Sequence, residues 1–484
     1  MKDQYMLDKI TANGGFAVPS DIEYLITKHT PIGLAMQNCY SWYISKSTAT
    51  NPYDPTSTTN VNIFQRTRAK AFSENVKVHN DIISMVVDQL VGYMGDIQFS
   101  ADDDSIRDFI SDFTLKTNMD DVINEIIKYM TICGYASIQL YRDPDSGEYG
   151  IAVIDPWKVV FLENAVEKVV YAFRYDEIQK DENNKAYIVE FYGPKGKQIF
   201  TSSNVTAGYI QIDSETVGDR LNIFAPSVPL IQFKNNMENS SDIEILIPLQ
   251  IDMDITLSDE ANDLRQNASA ILKAFGFEVN TAAISNMKEF GAIQLPDKNL
   301  NDVQYLTKPP YESPIQQHID NLQKAIYTTG KAIDMTDEQF GGNLSGVAIK
   351  FKLMALENKA YMKEKKINVG LRSMWKALFN AVEFETGNKY DYLGVTAEFN
   401  RNLPVNMVEQ VQILRELLQT VDTMTALEMS KIIKDPQMVY DRIMEQKQDE
   451  FLMYAEVPEG ELDEESQQEE NTETNNQQLS NSTP

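Results

Sequence analysis

Two periodicities divide the chain. Apolar residues at helical spacing predict helices over residues 21–43, 75–94 and 119–130. In the second of these, Val78, Ile82, Met85, Val86, Leu90 and Tyr93 share one face. In the third, Val122, Ile123, Ile126, Ile127 and Met130 do so, with Asn118 or Asp120 as cap. A Ser/Thr/Asn/Pro-rich turn cluster at 45–62, with Asn51-Pro52 and Asp54-Pro55, interrupts the first pair. From residue 136 the period drops to two. Ser137 to Arg142 alternates, and short apolar runs follow at 151–154, 159–162, 169–173 and 187–192. Gly193-Pro-Lys-Gly196 turns the last of these onto Gln198-Ile-Phe200 as a hairpin. Residues 136–235 therefore read as a small, mostly antiparallel β module.

Helical spacing then returns. Leu257, Ala261, Leu264, Ala268, Ile271 and Phe275 step by three and four, predicting one helix stopped by Gly276. The runs 292–295 and 303–306 read as strands around Pro296-Asp-Lys-Asn299. Ser313 and Pro314 open a second stripe through Ile315, Ile319, Leu322, Ile326 and Ile333. A polar, glycine-bearing loop at 334–346 leads into a long helix, 347–384, carrying Leu353, Leu356, Ala360, Ile367, Leu371, Met374, Leu378 and Val382. Helices at 407–418, 424–433 and 435–452 follow Pro404, and the Glu/Gln/Asn/Ser-rich tail from 453 reads as disordered. The fold class is α+β, mainly helical.

Composition narrows the chemistry. The 484 residues carry 43 Lys and Arg against 72 Asp and Glu, a net charge of -29. Nine acids and no base lie in 455–484, so the rest of the chain is still strongly acidic and on average repels a polyphosphate. Cys39 and Cys133 are too few for a disulfide framework, and His29, His79 and His318 show no metal-ligand spacing. Residues 1–20 hold no secretory leader pattern, and no apolar run is long enough to span a bilayer. Gly341 to Gly346 has the opening spacing of a phosphate loop, but Val347-Ala348 replace the required Lys and Ser/Thr. The paired acids Asp102 to Asp104, Asp120-Asp121 and Asp252/Asp254 read as solvated charges, with a metal nuclease on Asp252 and Asp254 as the third reading of the chain. Nothing positive points to catalysis or to a cofactor. Charge is nevertheless segregated. Residues 243–275 hold six acids against Arg265 and Lys273, whereas 345–380 hold eight bases against two acids. The basic helix either pairs with acidic neighbours inside the fold or an oligomer, or it faces a polyanion.

Three runs in order carry a family resemblance: Asn235-Asn236-Met-Glu-Asn-Ser-Ser-Asp242, Ser258-Asp-Glu-Ala-Asn-Asp263 and Ser345-Gly-Val-Ala-Ile-Lys-Phe351. Together with the order of elements over about residues 10–450, they resemble the portal proteins of long-tailed bacteriophages. The resemblance implies a wing at 1–243, a stem helix at 244–276, a clip at 277–312, a second stem helix at 313–333 and a tunnel loop at 334–346. The long helix with the rest of the wing would occupy 347–403, a crown 404–452 and an acidic tail 453–484. It implies that Gln339, Phe340, Gly341, Gly342, Asn343, Leu344 and Ser345 face passing DNA, with Asp259, Asp263, Lys350 and Lys352 as channel charges. Lys288, Glu289, Asp297, Lys298 and Asn299 would present the clip to the terminase large subunit and the head-tail adaptor. The implied assembly is a homo-oligomeric ring, usually of twelve, at one capsid vertex of the virion, formed in the host cytoplasm. It would touch major capsid and scaffolding proteins, pass double-stranded DNA and involve no membrane. Twelve helices ~10 Å wide enclose a ring ~38 Å across between axes, leaving ~28 Å for a duplex. An acidic conduit suits sliding, because many Lys or Arg contacts would hold DNA fast. The alternative is a head-morphogenesis or adaptor protein that conducts no DNA.

Overall fold

A computed structural model describes residues 2–44, 78–166, 168–181, 184–216, 223–268, 271–275, 302–306, 312–334, 346–402, 407–430 and 436–455. The chain divides into two compact units, Met1–Asn402 and Leu403–Pro484.

The first unit opens with α1 (Gln4–Ala12) and α2 (Pro19–Tyr43), followed by α3 (Ile82–Met94), β1 (Asp96–Ala101), α4 (Asp104–Lys116) and α5 (Met119–Cys133). The Asp103 carboxylate caps α4 by accepting from the amides of Ser105 and Ile106. Strands β2 (Tyr135–Arg142), β3 (Tyr149–Ile154) and β9 (Leu230–Lys234) form one antiparallel sheet with β2 at its centre. Strands β4 (Val159–Glu163), β5 (Val169–Asp181), β6 (Asn184–Gly193), β7 (Gly196–Ser202) and β8 (Ile210–Thr216) form a five-stranded meander. The expected hairpin is present, with Gly193 opposite Gly196. Met6, Ile10, Ile22, Leu25 and Ile26 of α1 and α2 bury one face of the meander at Leu162, Phe173, Val189, Phe191 and Phe200. The single module expected at 136–235 is thus two sheets. Nor is β2 half-exposed as its alternation suggested: positions 135–140 are buried throughout. Helix α5 packs on this strand, and its polar residues are satisfied from other elements. Gln139 donates to the Tyr192 hydroxyl and Ser137 to the Ile154 carbonyl.

Next come α6 (Ile247–Ala268), the pair β10 (Ile271–Phe275) and β11 (Asp302–Leu306), α7 (Glu312–Gly330), the long helix α8 (Gly346–Thr386) and β12 (Val395–Asn400). Strand β12 returns to pair with β1, Asp96 opposite Asn400. The second unit holds α9 (Met407–Thr420), α10 (Thr423–Ser430) and α11 (Pro436–Ala455), close to the three expected helices, with Ala426 and Leu427 buried among them.

Two expectations are corrected. The helix predicted up to Phe275 stops at Ala268, and Ile271–Phe275 is a strand paired with 302–306. A short continuous apolar run fits a buried strand as well as a helix, and pairing across the intervening segment decides it. The helix expected from residue 75 has its first described turn at Ile82, because Val78 to Asn80 are bound instead by side chains of α6. Met85, assigned to its inner face, is exposed, while Ile83, Val87 and Met94 are buried. Strand 292–295 and the turn cluster at 45–62 lie outside the described residues. Among the described residues, no helix is long and apolar enough to cross a membrane.

Candidate functional site

Helices α6 and α7 pack together as a pair, and both touch α3. Helix α7 contributes Ile319, Leu322 and Ile326 as buried apolar residues, as its stripe predicted. Helix α6 does not follow its stripe. Its buried positions include Met253 and four polar residues at steps of four, Gln250, Asp254, Ser258 and Asn262. Leu257 and Ala261 are only half-buried, and Leu264 is 59% exposed.

The polar row holds the backbone entering α3. The Asp254 carboxylate accepts from the Asn80 amide at 2.9 Å and meets His79 Nδ1 at 2.7 Å. Gln250 donates to the same carboxylate and to the Asn80 carbonyl. Ser258 accepts from the Val78 amide at 2.8 Å, and Asn262 donates to the Ser258 carbonyl. The hydrogen bond to Asp254 raises the His79 pKa against the effect of burial. On another side of α6, Asp252 meets His318 Nε2 of α7 at 3.3 Å, both side chains about half exposed. The two acids considered as a metal pair therefore serve different partners. Among the described residues no cluster of His, Cys, Asp or Glu could hold a metal ion.

A second polar centre fixes α8. Asp242 faces Lys363 at 2.9 Å and Lys359 at 3.2 Å, one helical turn apart. Asn235 donates to Asp242 at 2.7 Å, its carbonyl oxygen accepts from Lys363, and Lys359 donates to the Gly330 carbonyl at the end of α7. Burial opposes ionisation of Asp242, but Lys363 and Lys359 outweigh it and hold its pKa at about 2. Burial, reinforced by Lys359, pulls Lys363 down to about 8 although Asp242 opposes it. A third centre lies nearby in sequence: Arg401 holds both Glu357 and Glu364 of α8, and Tyr93 donates to Glu357.

The expected channel charges are partly placed. Asp259 and Asp263 are half-buried and one turn apart on α6, Lys352 is half-buried on α8, and Lys350 lies near the start of that helix. Gln339 to Ser345, and Lys288, Glu289, Asp297, Lys298 and Asn299, lie outside the described residues. Sequence reasoning missed Asp242, Lys359, Lys363, His79 and Asp254 as a scaffold. The signals were present: the run from Asn235 to Asp242, and two lysines four apart beside the apolar stripe of the long helix. For these two lysines, pairing within the fold is the correct reading of the basic segment.

Residues 23–451 match the family described as "Phage portal protein, SPP1 Gp6-like". The chain is similar to the portal protein of Clostridium phage phiCD119, 26% identical over 334 residues that cover 65% of this chain and 72% of that protein. It is also similar to the portal protein of Bacillus phage SPP1, 25% identical over 405 residues, 79% of this chain and 77% of that protein.

Proposed function

The chain belongs to the SPP1 Gp6-like family of phage portal proteins, a structural and non-enzymatic family of the capsid vertex, and on that premise we propose that its copies close into a ring conducting double-stranded DNA. The ring, of about twelve copies, serves packaging and ejection and is the docking platform for the terminase large subunit and the head-tail adaptor. Helices α6 and α7 form its stem, with 277–312 as the clip, 334–346 as the tunnel loop and 404–452 as the crown. The motor that hydrolyses nucleotide is then a separate protein.

The observation that carries this reading is the incompletely buried stripe of α6. Leu257, Ala261 and Leu264 recur at helical spacing, yet the protomer fully buries none of them and leaves Leu264 59% exposed. A helix spends its protomer-facing side on Gln250, Asp254, Ser258 and Asn262 and keeps apolar residues outward when a neighbour covers them. Side-by-side copies around an axis supply that neighbour. The acidic Asp259 and Asp263 suit a lining that DNA must slide past, since counterion-releasing contacts would retard it. The test is native mass spectrometry and negative-stain imaging of the full chain. Rings are expected, and monomers at every salt concentration would overturn the proposal. Deleting 338–346 should leave rings intact and lower the packaged DNA yield. Normal yield would remove that loop from the mechanism.

A further inference from the structure

Helix α8 carries an outward band that its own protomer leaves uncovered. Phe351, Met354, Tyr361, Met362 and Val369 are each more than half exposed. Asn358, Lys365 and Arg372 complete the band at steps of three and four, and all three are exposed. Lys365 lies over the Tyr361 ring, 4.2 Å from its centre. The band presents no acid of its own: between Phe351 and Lys376 the only carboxylates are Glu357 and Glu364, both held by Arg401. In a chain of net charge -29, copies repel one another over most of their surface. An acid-free, partly apolar band is where close approach costs least.

Its complement is on the same chain. Within 102–116 there are five aspartates against Arg107 and Lys116. Asp104, Asp108, Asp112 and Leu115 follow one another along the exposed face of α4, and Leu115 is 83% exposed. The opposite face of α4 is anchored by aromatic packing on α8, Phe113 against Trp375 at 5.6 Å and Phe109 against Phe379 at 6.0 Å. Trp375 and Phe379 are buried under that inner face, one to two turns along α8 beyond Arg372, so the aspartates of α4 point away from α8. The acidic face therefore cannot fold over the basic band of its own chain.

We propose that the α8 band of one copy docks on the acidic α4 face of the next, a head-to-tail contact between two different patches. Such heterologous contacts close into rings when the rotation allows. The inference rests on the ring reading above and assigns it a charge-matched contact in the wing.

The test compares four full-length proteins by native mass spectrometry at one protein concentration, with circular dichroism confirming folding. The wild type is expected to form rings; if it does not, the ring reading fails and this contact with it. The double variants Lys365→Glu/Arg372→Glu and Asp108→Lys/Asp112→Lys should each lower the ring fraction at least tenfold. The four-substitution protein, with both faces reversed, should regain rings, and mixing the two double variants should give co-assemblies. Folded double variants that assemble like the wild type, or a four-substitution protein that stays monomeric while wild-type rings form, would overturn the contact. Intact rings with reduced packaged DNA in Lys365→Glu/Arg372→Glu would overturn it too, assigning the band to nucleic acid instead.

Discussion

Replacing Asp242 by asparagine tests the centre that fixes the long helix. The change keeps shape and hydrogen-bonding capacity but leaves two buried ammonium groups, Lys359 and Lys363, without a counter-charge. At ~3 Å and an effective dielectric of ~20, each ion pair is worth on the order of 5 kcal/mol before desolvation. Held at about 2 against an ordinary value of ~3.9, the ionised carboxyl is favoured by roughly 2–3 kcal/mol. Breaking a buried pair by removing one partner costs about 3–5 kcal/mol. We therefore expect Asp242→Asn to lose about 3 kcal/mol or more in urea unfolding at pH 7 and fixed protein concentration. Adding Lys359→Met and Lys363→Met should recover most of the loss, because apolar replacement of a whole buried ion cluster is often neutral. The wild type supplies the pH check. The folded Lys363 pKa is lowered to about 8, so between about 8 and the ordinary lysine value of ~10.4 the unfolded chain binds the extra proton. Stability from this group therefore rises with pH across that window and is lost as pH falls through about 8. A loss in Asp242→Asn below about 1 kcal/mol, or a triple variant as unstable as the single one, would refute the argument.

Three further outcomes follow from the packing. Because Asp254 raises the folded His79 pKa, that pair's stabilisation is fully present below the ordinary histidine value and is lost as pH rises through the folded one. Wild-type stability should accordingly fall across that window relative to His79→Gln, and parallel urea midpoints for the two proteins would contradict this. Gly370→Ala, despite a helix-propensity gain of ~1 kcal/mol, should destabilise, since the new Cβ would lie 2.2 Å from Cδ1 of the fully buried Phe233. A net gain in thermal midpoint would show that Phe233 yields. Gly134→Ala should also destabilise, because φ is +86° there and the Cβ would meet the Asn239 carbonyl oxygen at 2.0 Å. An unchanged urea midpoint would count against that geometry.

What the sequence disclosed depended on how local the determining contacts are. Helices α5, α7 and α8 were legible within a residue or a few, because each carries a long apolar face at one period. The hairpin at Gly193 to Gly196 was legible for the same reason, its turn being set by adjacent residues. Strands β1 and β12 were not, since six residues at 96 pair with six at 395 and neither run announces its partner. Helix α4 escaped notice because its inner face is only Ile106, Ile110 and Phe113, in a segment of five aspartates at 102–112. Helix α6 misled in the opposite sense: its stripe ends at Ala268, with Ile271 and Phe275 in a strand, and the face toward its own protomer is largely polar. Of the site, sequence reasoning placed charges on α6 and α8, while the Asp242 centre joins 235–242 to 359–363 and needed the fold to bring them together.

That centre also explains what the family runs do. Asn235 and Asp242 begin and end the first run, and both bind Lys363. Ser258 and Asn262 belong to the second, where they secure the strand-like entry to α3 and the turn beneath it. Asn235, Ser258, Asn262 and Lys363 are buried and Asp242 is half-buried, each engaged with another part of the protomer. Residues of this kind do one thing: they fix where α6 and α8 sit relative to the sheets, at polar contacts whose loss leaves a buried charge or amide unsatisfied. The first two of the runs that carry the resemblance therefore coincide, at Asn235, Asp242, Ser258 and Asn262, with the polar contacts that seat α6 and α8 within the protomer.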